Sequence, residues 1–384
     1  MIKPRQPGNI QIVDLLRSLS ILVVLVSHFA YFAPEPSPFF KGMWATLRSE
    51  GRPAVTVFFV VSGFLITRII DRSPGGLFQF KPSWFYVRRA GRILPLFFLQ
   101  IIIGVGFIGF AGFLAGDHSL EFFRCFKLPH DPFDLTFWSS LMTLISFSWT
   151  SNFLKTNWMG LGLHWSLFWS LAIEEQFYIC YPMLLKASRR KKVIAGVLTT
   201  LVFLCWGVSW LGSLLTPPGA LPVFTWSDVW CYGAIAMGAL LYLLCEEVGP
   251  YLLRQTLWNW TAVGTGGLAI LTGGTNFFNE ASGILNTPLI DLGVFLVLLG
   301  GIHLPLFESR WLKLFALPGK YCYGIYLLHV VVIYLMLPVF KNLSGFVNVF
   351  LLFGLYTLAV TGIAVLSYRY FEMPANRSIQ KKFG

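Results

Sequence analysis

The sequence predicts an all-α protein: a polytopic bundle of about ten transmembrane helices plus one re-entrant or interfacial segment, with both termini cytoplasmic. Three observations lead there. Hydrophobic residues make up 56% of the 384-residue chain and charged residues only 12%, against roughly 25% charged residues in a soluble domain. Mean hydropathy is +0.68. Residues 193–215, VIAGVLTTLVFLCWGVSWLGSLL, run 23 positions without a charge, enough to cross the hydrocarbon core of a bilayer. Uncharged runs this long, with no period-two alternation, exclude a β-barrel.

Taken in order, the first expected span is 10–31. It has a basic start and an apolar run, but Asp14, Arg17 and His28 interrupt it and no A-x-A cleavage site follows. It therefore reads as a retained first helix, not a signal peptide. The second, 53–70, contains Ser62-Gly63, small residues that let a neighbouring helix come close. The third, 93–116, is entered through a basic segment, 68–92, that holds Arg68, Arg72, Lys81, Arg88, Arg89 and Arg92. The fourth, 163–187, leads into Lys186, Arg189, Arg190, Lys191 and Lys192. Further apolar spans follow at 193–215, 227–245, 257–273, 288–305, 318–340 and 346–370.

Lys and Arg concentrate on the cytoplasmic side of membrane spans. Lys3 and Arg5 put the N-terminus there, and both basic segments belong there too. Parity then requires a single inward crossing between the third span and the second basic segment. Span 163–187 makes it, and the short Ser- and Thr-rich stretch 136–151 does not cross. This topology gathers 22 of the 29 Lys and Arg residues on the cytoplasmic side and leaves 7 outside.

The net charge of +12 has this bias as its cause and gives no reason to expect nucleic acid. No internal repeat and no long polar segment appears, so one membrane domain is expected over residues 10–375. The six cysteines are scattered, without CxxC or Cys/His metal spacing, and read as small apolar packers. No metal is expected.

Polar groups inside apolar spans are costly and mark functional sites. Arg17 and His28 lie eleven residues apart, so on a helix they share one face with a rise between them of roughly 16 Å. They either line a polar path or are locally satisfied, Arg17 by Asp14 at i,i+3 and His28 by a backbone carbonyl. Arg88 and Arg92, at i,i+4, form either a guanidinium fork suited to phosphate or a plain cytoplasmic flank, which Arg89 on a different face fits well. Glu174 and Glu175 sit midway along the fourth span. One is expected to line the path and the other to bond a neighbouring helix, with Arg17 as a partner. His329, Asp291 and His303 are further polar candidates that packing can satisfy. Arg369 and Glu372, at i,i+3, suit a helix-end ion pair.

The order of these motifs resembles the acyltransferase-3 family of integral membrane acyltransferases. The resemblance runs through Arg17 and His28 in the first helix, FFVVSGFLIT in the second, RRAGRILP with Arg88 and Arg92, WSLAIEEQFYICYP with Glu174 and Glu175, and finally CYGIYLLH and YRYFEMPA. It implies a multi-pass protein of the inner (plasma) membrane, surrounded by membrane lipids. The activity implied is transfer of an acyl group, usually acetyl, from cytoplasmic acyl-CoA to a hydroxyl of a glycan or glycolipid. Such products include O-acetylated polysaccharide, lipopolysaccharide and peptidoglycan.

On this reading Arg88 and Arg92 would hold the CoA phosphates. His28 would act as base or acyl carrier, and Glu174 or Glu175 would orient it or balance Arg17. Some members carry a fused SGNH hydrolase-like domain. None is expected here, which leaves the chain to act alone or with a separate extracytoplasmic partner. The competing expectation is a transporter or flippase, which needs the same polar path but predicts flux independent of acyl-CoA.

Overall fold

The structure is a computed structural model that describes residues 11–33, 41, 47, 51–115, 167–215, 229–252, 255–274, 286–342 and 346–383. Among them the chain is helical, with no strand. The expected non-crossing segment 136–151 lies outside the described residues, as do residues 117–135 and most of 32–52.

All ten expected spans coincide with helices. These are α1 (Gln11–Phe32), α2 (Gly51–Asp71), α3 (Pro82–Ala115), α4 (Phe168–Ser188), α5 (Lys191–Leu215), α6 (Trp230–Leu252), α7 (Thr256–Gly274), α8 (Asn286–Gly301), α9 (Arg310–Asn342) and α10 (Phe346–Ser367). A π-helical turn, Tyr368–Glu372, joins α10 to a short amphipathic helix, α11 (Met373–Phe383). Among the described residues, six segments are long and apolar enough to cross a membrane: Gln11–Phe32, Pro53–Asp71, Lys191–Gly212, Trp230–Val248, Arg310–Ile333 and Val347–Phe383.

The centre of the bundle is α1, which packs on α9 and α2, with α2 packed in turn on α6. Helix α5 backs α6, α10 backs α9, and α7 and α8 form a pair leaning on α2. The outer helices turn leucines outward; Leu351, Leu355 and Leu358 of α10 are all exposed, as a lipid-facing surface requires.

Small residues set the inner distances. A Cβ on Gly63 would collide with the Ile235 carbonyl oxygen, and one on Gly238 with that of Val60. The α2 and α6 backbones therefore touch through these glycines, the close approach expected at Ser62-Gly63. Gly319 brings α9 equally close to α1: its N–H donates to Ser18 Oγ at 2.6 Å, and a Cβ there would collide with the Asp14 carbonyl oxygen.

Asp291, fully buried on α8, accepts a hydrogen bond from Trp206 Nε1 on α5 at 2.8 Å through Oδ2. Its Oδ1 has no hydrogen-bond partner among the described residues. Trp206→Phe leaves this carboxyl with no hydrogen-bond donor among the described residues, and a buried polar group stripped of its partner costs about 1–3 kcal/mol. A lowered unfolding temperature in detergent is the expected result; an unchanged one would show that the bond contributes nothing.

Candidate active site

Helices α2, α3, α4 and α9 enclose a cavity of about 110 Å³, and α1 contributes Arg17 to it. Each wall is a helical stripe. Val55, Phe58, Phe59, Ser62, Leu65 and Ile69 face it from α2; Arg89, Arg92 and Ile93 from α3; Ser170, Leu171, Glu174 and Tyr178 from α4; Cys322, Tyr323, Tyr326 and Leu327 from α9. These spacings of three and four residues put each set on one side of its helix. The polar groups converge in an otherwise apolar and aromatic lining, the usual make-up of a ligand pocket.

Glu174 is the hub. Its Oε1 accepts from Ser62 Oγ at 2.7 Å and its Oε2 from the Tyr178 hydroxyl at 2.5 Å. Ser62 therefore does more than permit close packing: its hydroxyl ties α2 to α4. Arg17 lines the cavity together with Glu174 and Cys322 and pairs with Asp14 at 3.7 Å. The two readings of Arg17 are thus both realised, since it has a local partner and lines the cavity.

Glu174 also fills both roles expected of the acidic pair, facing the cavity and bonding a neighbouring helix. Glu175 does neither: it is not part of the lining, and its buried Oε1 accepts no hydrogen bond among the described residues.

The arginines differ from expectation. Arg88 and Arg92 are both exposed, but Arg92 lines the cavity, whereas Arg88, expected to form the fork with it, has its guanidinium 4.4 Å above the Trp84 ring and is outside the lining. Arg89 takes that place beside Arg92. Its guanidinium lies 5.1 Å from the Tyr178 ring and 5.8 Å from the Phe85 ring. Its Nη2 is buried with no acceptor among the described residues. The i,i+4 spacing of 88 and 92 is real, but the inward face of α3 is centred on 89, 92 and 93.

His28 does not line the cavity. Its Nδ1 donates to the Val24 carbonyl at 3.0 Å, the local satisfaction foreseen for it, and its ring meets that of His329 edge to face, 4.9 Å between centroids. Tyr326 connects this pair to the cavity, with its ring 5.9 Å from that of His329. The Tyr326 hydroxyl bonds Ser170 Oγ at 2.7 Å and donates to the Leu167 carbonyl at 3.1 Å.

The closing motif departs from expectation too. Arg369 lies over the Tyr370 ring, 5.7 Å away, and does not pair with Glu372. Glu372 is buried, accepts from Ser367 Oγ at 3.2 Å and feels the charge of Arg92. The π-helical turn accounts for this, because residues three apart no longer stack on one face when the hydrogen bonds run i to i+5. His303 falls in the turn after α8, away from the cavity lining.

The acyltransferase domain that defines the acyltransferase-3 family matches residues 10–369. The chain belongs to that family. Family relatives include the peptidoglycan O-acetyltransferase OatA of Listeria monocytogenes, 26% identical over 95% of this chain and 56% of OatA. YrhL of Bacillus subtilis, provisionally assigned the same activity, is 28% identical over 94% of this chain and 54% of its own length. A provisionally assigned O-acetyltransferase of Staphylococcus aureus is 25% identical, with 94% and 56% covered. The chain thus spans little more than half the length of these family relatives. No solved structure matches it.

Proposed function

We propose that the chain is a membrane O-acyltransferase that moves an acyl group, foremost acetyl, from cytoplasmic acyl-CoA to a hydroxyl of an exported or cell-surface glycan. In this reading α1–α10 are ten spans with both termini in the cytoplasm. The observation that carries it is the cavity lining: three guanidiniums and one carboxylate, with Arg89 Nη2 buried and lacking an acceptor. A buried guanidinium without an acceptor is a strong candidate for an anionic oxygen, which guanidinium donors bind in bidentate fashion. The phosphates of a CoA thioester fit this donor set.

Arg89 and Arg92 hold the anion, and Arg88 serves only as a cytoplasmic flank. Glu174, fixed by Ser62 and Tyr178, keeps Arg17 extended into the cavity. His28 takes the proton of the acceptor hydroxyl or carries the acyl group. Its Nδ1 proton is committed to a carbonyl, which leaves the Nε2 lone pair for either use. The acceptor class is drawn from relatives named for peptidoglycan.

The test incubates membranes with radiolabelled acetyl-CoA and compares the unmodified chain with Arg88→Gln, Arg89→Gln and Arg92→Gln. A hydrogen bond to a charged group contributes about 1.5–3 kcal/mol. Labelling of the glycan or lipid-linked fraction should therefore fall more than about tenfold with Arg89→Gln or Arg92→Gln and stay near normal with Arg88→Gln. Equal labelling in all four would sink the arginine assignment. Transport of a glycan without any need for acyl-CoA would favour the transporter instead.

A further inference from the structure

The second imidazole at the end of the Arg17-to-His28 face is not used by the reading above. His329 is fully buried on α9, and its Nδ1 lies 2.6 Å from the Tyr326 carbonyl oxygen. His28 makes the same kind of bond to Val24, 3.0 Å away. A carbonyl oxygen only accepts, so in both rings Nδ1 carries the proton and the neutral Nε2 keeps a lone pair. The two rings then meet edge to face, 4.9 Å apart.

Their separation is held by the backbone, because Gly319 seats α9 against Ser18 and Asp14 of α1. On its other side His329 is packed against Tyr326, which lines the cavity. One turn of α9 therefore connects the cavity wall to His28.

We propose that His329 is a positioning residue for His28: it fixes the orientation of the His28 ring and stabilises the positive charge that ring acquires when it takes the acceptor's proton. This rests on the reading of His28 as the transfer base or acyl carrier. With Nδ1 protonated, His329 keeps an electron-rich Nε2 that favours an adjoining cation and that a phenyl ring lacks, and the full burial of His329 leaves little water for the same purpose. A ring that merely filled space would be replaceable by phenylalanine.

The experiment uses the full chain purified in detergent, with labelled acetyl-CoA as donor. The variants are His329→Phe, His329→Gly, His28→Ala and the His28→Ala/His329→Phe pair. General bases contribute about 10²–10⁴-fold, and a residue acting through one supplies a share of that, so His329→Phe should lower kcat by about tenfold or more. KM for acetyl-CoA, CoA affinity by titration calorimetry and the unfolding temperature should all stay near those of the unmodified protein. Added imidazole should partly restore His329→Gly.

In the His28→Ala background His329→Phe should cost nothing further, because residues that act as a unit are not additive. Normal kcat in His329→Phe, or losses that multiply in the pair, would overturn the proposal. Full activity in His28→Ala would instead remove the reading of His28 itself. Loss in His28→Ala with none in His329→Phe would remove His329 alone.

Discussion

His28→Ala is expected to reduce acyl transfer by about 10²–10⁴-fold, the contribution of a positioned general base, while leaving CoA binding intact. Three features argue for so large an effect. The ring's tautomer is set by the Val24 carbonyl, its orientation by His329, and its connection to the cavity runs through Tyr326. The arginines that would hold the donor, Arg89 and Arg92, lie on α3, so removal of His28 should leave the affinity for CoA unchanged and act on kcat. Rapid quenching with labelled acetyl-CoA separates the two uses of the ring. Label that stays on the chain and maps to His28 marks an acylated intermediate; its absence at matched turnover marks a base. Normal labelling of the acceptor by His28→Ala would remove His28 from the reaction altogether.

The second large effect concerns stability. Gly63→Ala should lower the unfolding temperature sharply and reduce the monodisperse fraction extracted in detergent. The added Cβ meets the Ile235 carbonyl oxygen and the Ala239 amide nitrogen, the latter at 2.9 Å. These are backbone atoms of a packed helix, so a rotamer change gives no relief and α2 must move away from α6. Overpacking typically costs about 1–3 kcal/mol and occasionally more. Gly238→Ala strikes the same contact from the other side, at the Val60 carbonyl oxygen and the Phe64 amide. Once one substitution has parted the helices, the second should cost less than it does alone. Strictly additive losses would show that the two glycines do not share one contact.

How much of this was readable in the chain depends on the range of the interaction. Helices α1–α10 were legible because each is an apolar run between basic or polar boundaries, and that signal is local. The Asp14–Arg17 pair and the carbonyl bond of His28 were legible for the same reason, since both lie within one turn. Which arginine faces inward was not. Positions 88 and 92 share a face, but so do 89 and 92, and only the packing of α3 against its neighbours, α11 and α9 among them, decides between them. The hydroxyl of Ser62 bonds Glu174, a partner 112 positions away, and no spacing rule links residues so distant. The contact of His28 with His329 joins the first helix to the ninth and is invisible for that reason. The i,i+3 expectation for Arg369 and Glu372 failed because it assumed α-helical geometry where the backbone is a π turn.

The glycine contacts divide the cavity into a stiff half and an adaptable one. Helices α1, α2, α6 and α9 are seated backbone to backbone at Gly63, Gly238 and Gly319. The opposite walls, α3 and α4, are joined to each other through Tyr86 and tied to this frame by side chains such as Gln100, Tyr323 and Glu174. Enlarging or reshaping the substrate chamber therefore belongs on α3 and α4, where side chains can be exchanged without prising the frame apart. Variants selected for a longer acyl chain should carry their changes on those two helices and leave the glycines untouched.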